Sequence, residues 1–304
     1  MALTTLEITS TTHAAFLPEV WADDTQDAIE FKEVLSKLVN TSFENEMSVG
    51  RILHIPHRSN MATQTKTEGI ANTIVFNTIT QTTQDITVST YEYAACLLNA
   101  VVQAQSKYND RAALSGKMGY ALVRGMEVSL AALPASFSQV VGAYGGDIDD
   151  SVLRRAWQYL ADAGFYDDAT WAFSPGAAQS LFGQDRITSR DFQSGDKRAI
   201  ETAMLPNLYS FPAVVSNLLK SPASGQHDNA LFARSAVILI RQVKPTPKTQ
   251  YRIEYNADAM LMFDLYAVAE AKQPTETPTV ASGGAGSSEL EALGDSGAVL
   301  IKGM

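Results

Sequence analysis

The hexapeptide GGDIDD, Gly145 to Asp150, sets Asp147, Asp149 and Asp150 within four positions. Clustered carboxylates are what a hard cation such as Ca²⁺ or Mg²⁺ requires. The stretch lacks the central Gly and downstream Glu of a calcium loop, and it directly precedes the helical pattern DDSVLRRAWQYLADAG. Its carboxylates therefore read as a turn and helix N-cap, with Asp150 or Ser151 capping and negative charge favoured by the helix dipole. His54 and His57 stand three apart on an expected strand, on opposite faces, so they make a poor metal pair; His13 and His227 are far from both. Cys96, the one cysteine, sits in YEYAACLLNAVV as a small buried hydrophobe rather than a reactive thiol.

Other motifs fail on inspection. In LSGKMG the residue after Lys117 is Met118, and Arg111 stands where a phosphate-binding loop needs its first Gly. GGAGSS, residues 283–288, lacks the flanking strand and helix of a dinucleotide fingerprint, and no nucleophile elbow occurs. Asn40-Thr41-Ser42 fits a glycosylation acceptor that is idle without a secretory route. The reading is of a chain without a catalytic, cofactor or metal site, and not an enzyme.

The elements that would carry these residues say more. At 304 residues and 45% hydrophobic content, the chain can bury a large core. Its net charge of −10, without a Lys/Arg run, disfavours a phosphate-reading surface. No basic leader and no apolar run of membrane-spanning length is present, so a cytosol-like compartment and no membrane are expected. Residues 1–50 are acidic, with Ala28 to Val39 patterned as an amphipathic helix. RILHIP reads as a strand closed by Pro56, and NTIVFNTITQTTQDITVST alternates Ile74 and Phe76, then Ile86 and Val88, with period two. STYEYAACLLNAVVQAQSKY reads as a buried helix, followed by a long helix from an Asp110 cap to a stop before Pro134. Gly116, Gly119 and Gly125 inside it suggest a close backbone approach. Val152, Leu153, Ala156, Trp157 and Leu160 form the buried face of the next helix, which stops at Gly164. TWAFSPGAAQSLF reads strand, turn, helix, and YSFPAVVSNLL, ARSAVILIRQV, KTQYRIEYNADA and MLMFDLYAVAEAK supply strands of an α+β fold. After Pro274 the composition turns to linker chemistry, ending in AVLIK as an edge strand or docked segment.

One magnitude constrains function. Two arms of about 20 residues at about 3.3 Å each reach several tens of Å, whereas a compact chain of this length has a radius of gyration of about 19 Å. Such a ribbon outruns its own domain, and an isolated hairpin is marginal in water, so its expected cover is another copy of the chain.

Taken in order, these phrases resemble the major capsid protein family of tailed bacteriophages, whose fold is shared with encapsulins and the herpesvirus capsid floor. TTHAAFLPEVWADD looks like that family's start, VGRILHIPHRS like its strand entering the extended E-loop, ITVSTYEYAACLLN like the return strand leading into the peripheral (P) domain, and Asp110 to Leu133 like its spine helix. TWAFSPGAAQSLF and PNLYSFPAVVSNLL are similar to strands of the axial (A) domain, and NALFARSAVILIRQ to its return toward the peripheral (P) domain. The resemblance covers about residues 10–272.

It implies an N-terminal arm over 1–50, an E-loop over 51–90, a P domain over 91–145 and 231–272 with its spine helix at 110–133, an A domain over 146–230, and a C-terminal extension over 273–304. It implies pentamers and hexamers closing an icosahedral head around double-stranded DNA, with the DNA near but not specifically bound. The virion is the implied location, after assembly in the host cytoplasm. Implied partners are the chain itself, a portal protein, and separate scaffold and decoration proteins. Intersubunit contacts are expected at Glu19, Trp21, Arg51, Arg58, Lys66, Glu68, Arg186, Arg190 and Lys197, with the loop from Gln184 to Arg198 at the capsomer axis. Some members carry a scaffolding segment that is removed, whereas this chain is expected to enter the arm directly, which implies a separate scaffold or none. No acceptor or catalytic carboxylate is marked for crosslinking through Lys66, and the tail past Pro274 would serve as a clamp in place of crosslinks. The alternatives are an encapsulin-like cargo compartment, distinguished by an inner groove for cargo peptides, and a metal-dependent α+β enzyme built on Asp147, Asp149 and Asp150.

Overall fold

Strand β10, Ala257–Glu270, runs for fourteen residues through the first of the two larger sheets and sets its geometry. The computed structural model describes residues 33–58, 61, 63, 74, 76, 79, 81–105, 110–165, 168–188, 205–219, 226–274, 293–294 and 297–303. In chain order the elements are β1 Ile52–Arg58, β2 Gln81–Thr87, β3 Thr90–Asn99, α1 Ala100–Gln105, α2 Asp110–Ala132, β4 Gln139–Gly142, α3 Asp150–Asp162 and β5 Ala169–Phe173. There follow α4 Pro175–Phe182, α5 Asp185–Thr188, β6 Ala213–Val215, β7 His227–Ala233, β8 Val237–Val243, β9 Lys248–Arg252, then β10, β11 Gln273–Pro274, β12 Leu293–Gly294 and β13 Ala298–Gly303. The mixture is the expected α+β fold.

In the first sheet, β3 pairs with β10 from Asn99↔Ala257 to Thr90↔Tyr266, and β8 and β9 pair with its other edge, all antiparallel. The even-numbered residues of β10 from Met260 to Tyr266 face α2. Met118 and Leu122 of the helix pack on Met260 and Met262, and Met126 and Leu130 share a core with Tyr266. Arg241 on β8 donates through Nε and Nη2 to the fully buried Asp264 of β10, at 2.8 and 2.5 Å, which ties the two strands.

The second sheet has the order β4-β13-β7-β5-β6. The expected edge strand AVLIK is instead an inner strand, parallel to β4 and antiparallel to β7. Alternation explains the placement. Ala298 and Leu300 enter the core shared with Val237, Leu239 and Phe232, while Val299 and Ile301 enter the one around Trp171, Phe173, Leu153 and Leu160. A strand with both faces apolar is unstable at an edge.

Other expectations are corrected. Thr90–Asn99 is a strand, and only Ala100–Gln105 is helical. The apolar run is ambiguous locally, and ten consecutive partners on β10 decide it. Of the helix expected from Ala28 to Val39, the described part holds only a 3-10 turn, Leu35–Lys37. His227–Ala233 is a strand that the sequence reading did not separate. Asp149, not Asp150 or Ser151, caps α3, accepting from the Val152 N–H at 3.0 Å. Trp157 is 37% exposed at the rim of α3, whose buried face is Leu153, Ala156 and Leu160. Gly164 stops that helix with φ +84°, as expected.

Of the three glycines in α2, Gly125 alone is tightly constrained: a Cβ there would overlap the Glu92 carboxylate, whereas Gly116 faces open space. We therefore expect Gly116→Ala to raise stability by up to about 1 kcal/mol and Gly125→Ala to gain less, because the Glu92 carboxylate must first move aside. Leu300→Ala and Ile301→Ala should each cost about 2–5 kcal/mol. Urea unfolding of the full chain measures all four; an unchanged midpoint for either β13 variant would contradict the inner placement.

Candidate assembly surface

The hairpin of β1 and β2 pairs antiparallel from Ile52↔Thr87 to Arg58↔Gln81. Period two gives it an inner face, including Leu53, Ile55, Gln84 and Ile86, and an outer one, including His54, Pro56 and Asp85. The inner face packs on Ile238, Ile240 and Ala267 of the first sheet, with Met47 and Val88. Gln84 fixes this contact. Its buried amide donates to the Glu270 carbonyl at 2.7 Å and accepts from the Lys272 N–H at 2.9 Å, as another strand would. The hairpin thus leaves the body from a rigid base. Beyond it, Ile74 and Phe76 are apolar residues two apart, and Phe76 is 87% exposed.

The same outer face of the first sheet is only half covered. Next to the part under the hairpin base, Tyr91 and Tyr93 of β3 lie open, their ring centroids 6.1 Å apart and Tyr91 5.6 Å from Phe263. Lys248 Nζ sits 4.9 Å from the Phe263 ring. Ile74, Phe76 and the tyrosine face are apolar surface of the kind that burial between chains favours.

On the helix side, buried Glu127 of α2 accepts from the Leu35 N–H at 3.0 Å and the Ser36 N–H at 2.8 Å. This anchors the chain's entry to the long helix. Two carboxylates of the acidic cluster Asp147 to Asp150 have structural partners. Asp149 is the cap, and its carboxyl is held below its ordinary value by the Val152 N–H and the Ser151 hydroxyl. Asp150 pairs with Arg186 at 2.7 Å and Arg154 at 3.1 Å, and accepts from the Tyr209 hydroxyl. Among the described residues no group of three His, Cys, Asp or Glu is placed to hold a metal ion, and no helix is long and apolar enough to cross a membrane. His54 and His57 do point to opposite faces, His54 bonding Asp85 at 2.5 Å, and Cys96 is half-buried beside Met118 Sδ at 3.7 Å.

No family model and no curated protein matches the chain. Solved structures do. One from Mycobacterium phage Che8 is 18% identical, covering 94% of this chain and 97% of its own, with a TM-score of 0.76. The capsid structure of cyanophage P-SCSP1u is 16% identical, with 96% and 94% covered and a TM-score of 0.69. The mature capsid of bacteriophage PhiM1 is 10% identical, with 95% and 92% covered and a TM-score of 0.70. The chain has the major capsid protein fold of tailed bacteriophages.

Within this capsid fold the expected contact residues fall into separate places. Arg51 and Arg58 are exposed at the two ends of β1. Arg186 is exposed on α5 but ion-paired to Asp150 of its own chain. Glu19, Trp21, Lys66, Glu68, Arg190 and Lys197 lie outside the described residues, as does most of the loop from Gln184 to Arg198. The sequence reading missed Gln84, Glu127 and the Tyr91/Tyr93 face. The two tyrosines were legible as a period-two pair; Gln84 and Glu127 carry no local signal.

Burial and the Asp150 carboxylate push the Tyr209 phenol up to about 12, and burial, with Glu92 and Asp264 nearby, does the same to Tyr266. A raised folded value favours the neutral phenol. The stability from these groups is present below the ordinary value of 10.0 and is lost as pH rises from there through about 12. Tyr209→Phe with Tyr266→Phe should flatten that alkaline loss in denaturation curves taken across the window. Glu127→Gln, which turns an amide N–H toward the backbone donors, should cost about 1.5–3 kcal/mol and speed hydrogen exchange at Leu35 and Ser36; unchanged exchange at both would contradict the anchor.

Proposed function

We propose that the protein is the structural subunit of a phage head, forming pentamers and hexamers that close an icosahedral shell around double-stranded DNA. The observation that carries this is the hairpin. A rigidly mounted hairpin base stands at the two ends of a segment whose Ile74 and Phe76 are open to solvent, while the same chain leaves the Tyr91/Tyr93 face open. The ribbon of one copy lies on that face of the next, so apolar surface idle in a monomer is buried once per neighbour. The likeness to capsid structures supports the reading.

In this reading residues 1–50 form the arm and 51–90 the E-loop. The first sheet with α2 forms the P domain and the second sheet the A domain, with the loop from Gln184 to Arg198 at the capsomer axis. Arg51, Arg58, Lys66, Glu68, Glu19, Trp21, Arg186, Arg190 and Lys197 remain proposed contacts between copies. A portal protein and separate scaffold and decoration proteins are proposed partners, the virion the proposed location. The role is structural, without catalysis. A subunit of net charge −10 suits DNA that is packed and released rather than gripped.

Sedimentation and negative-stain micrographs of the chain expressed alone test this. Rings or closed shells are expected, and Ile74→Asp with Phe76→Asp should leave the fold intact while raising the concentration needed for assembly at least tenfold. A wild-type chain that stays monomeric at every concentration and with a scaffold supplied would overturn the reading.

A further inference from the structure

The last strand is seated in the second sheet as a ligand is seated in a site. β13 runs parallel to β4 on one side and antiparallel to β7 on the other, and Ala298, Val299, Leu300 and Ile301 are all buried. Glycine stands at both ends. A Cβ on Gly297 would come within 2.5 Å of the Ala236 Cβ, and one on Gly303 within 2.6 Å of Ile148 Cγ1. The wall matches them: at Gly142 of β4, with φ +82°, a Cβ would lie 2.4 Å from the Lys302 carbonyl oxygen. A slip of one residue would send every side chain to the wrong core, and a slip of one or two would drive a Cβ into these walls, so the slot admits one register. Polar contacts add to the fit. Fully buried Asn229 of β7 donates to the Ile301 carbonyl at 3.4 Å and accepts from the Ser174 N–H at 2.7 Å. Lys302 Nζ lies 4.7 Å from the centre of the Tyr144 ring, whose hydroxyl donates at 2.7 Å to buried Asp228, the cross-strand partner of Lys302.

We propose that this slot is a peptide-binding site in its own right, specific for an extended segment with four apolar residues and a lysine between two glycines. Its filling by residues 297–303 is a separate, final folding step that makes the subunit competent to assemble. Two observations set this step apart from the folding of the rest. The cores under the hairpin base and under the α2 methionines contain no residue of the second sheet, and the last strand of the first sheet ends at Glu270. The first sheet therefore has two cores of its own that β13 does not enter. β4, by contrast, has no strand neighbour other than β13, and β7 has an open edge until β13 lies on it. A subunit with the slot empty presents unpaired edges and apolar clefts, which favour aggregation over ordered assembly. Filling the slot removes both, in the manner of a strand added to a sheet edge. The assembly part of this inference rests on the shell reading above; the binding site does not.

The test uses the full chain with its own last strand expelled, by Gly297→Val with Gly303→Val or, separately, by Val299→Asp with Leu300→Asp. The probe is a fluorescein-labelled synthetic peptide of residues 295–304. Anisotropy should show saturable one-to-one binding to both variants, and binding at least a hundredfold weaker to the wild-type chain, whose covalently linked strand holds the slot. A peptide carrying Gly303→Val should bind the variants at least tenfold more weakly. In the wild-type chain, which needs no substitution, the β4 and β13 amides should exchange hydrogen as one unit at least tenfold faster than those pairing β3 with β10. In sedimentation the variants alone should form no rings or shells, and saturating peptide should restore them. No saturable binding to either variant, equal binding of the two peptides, or β4 and β13 amides as protected as the β3–β10 pair, would overturn the slot. Binding without restored assembly would overturn the final step as a condition of assembly. A wild-type chain that itself forms neither rings nor shells counts against the shell reading, while anisotropy and exchange still decide the slot.

Discussion

The fold depends on a strand that arrives last. β13 lies between β4 and β7, so the second sheet has no continuous ladder until residues 298–303 are in place. Because side chains alternate across a strand, its four apolar residues divide between two cores rather than filling one. Removing it would leave two open sheet edges and two apolar clefts at once. Gly303 fits the same argument: a Cβ there would collide with Ile148, so the end of the strand is pressed against the loop ahead of α3.

The first sheet shows the complementary situation, an element whose cover is incomplete. Its α2 side is closed by methionine and leucine packing and by buried Glu127, which holds the incoming chain. Its opposite side is closed over Ile238, Ile240 and Ala267 by the hairpin base and is open over Tyr91 and Tyr93. A monomer gains nothing by holding aromatic rings in water. An assembly in which copies cover one another gains at every contact, and small energies per contact sum over a closed surface.

Polar groups do the mounting. Gln84 acts as a strand segment made of one side chain, and Arg241 with Asp264 bolts β8 to β10 beneath the helix. These bonds decide where the apolar surfaces point, because a hairpin free to swing would lose on ordering what it gained on burial. In the acidic turn at 147–150, Asp149 is taken up by capping and Asp150 by pairing with Arg154, Arg186 and Tyr209.

Sequence alone determined the α+β class, the long helix from Asp110, the hairpin strands around Ile52–Arg58 and Gln81–Thr87, and the Ser174–Pro175 helix start. These are local properties, written in period, capping residues and chain length. Only the tertiary structure decided that Thr90–Asn99 is a strand, that AVLIK lies inside a sheet, and that Gln84 and Glu127 hold the hairpin and the entering chain. An apolar run of four to ten residues is compatible with a helix, an edge or a sheet interior. The choice is made by partners more than a hundred positions away, such as β10 for β3, and a side-chain hydrogen bond across such a separation leaves no trace in the spacing of neighbouring residues.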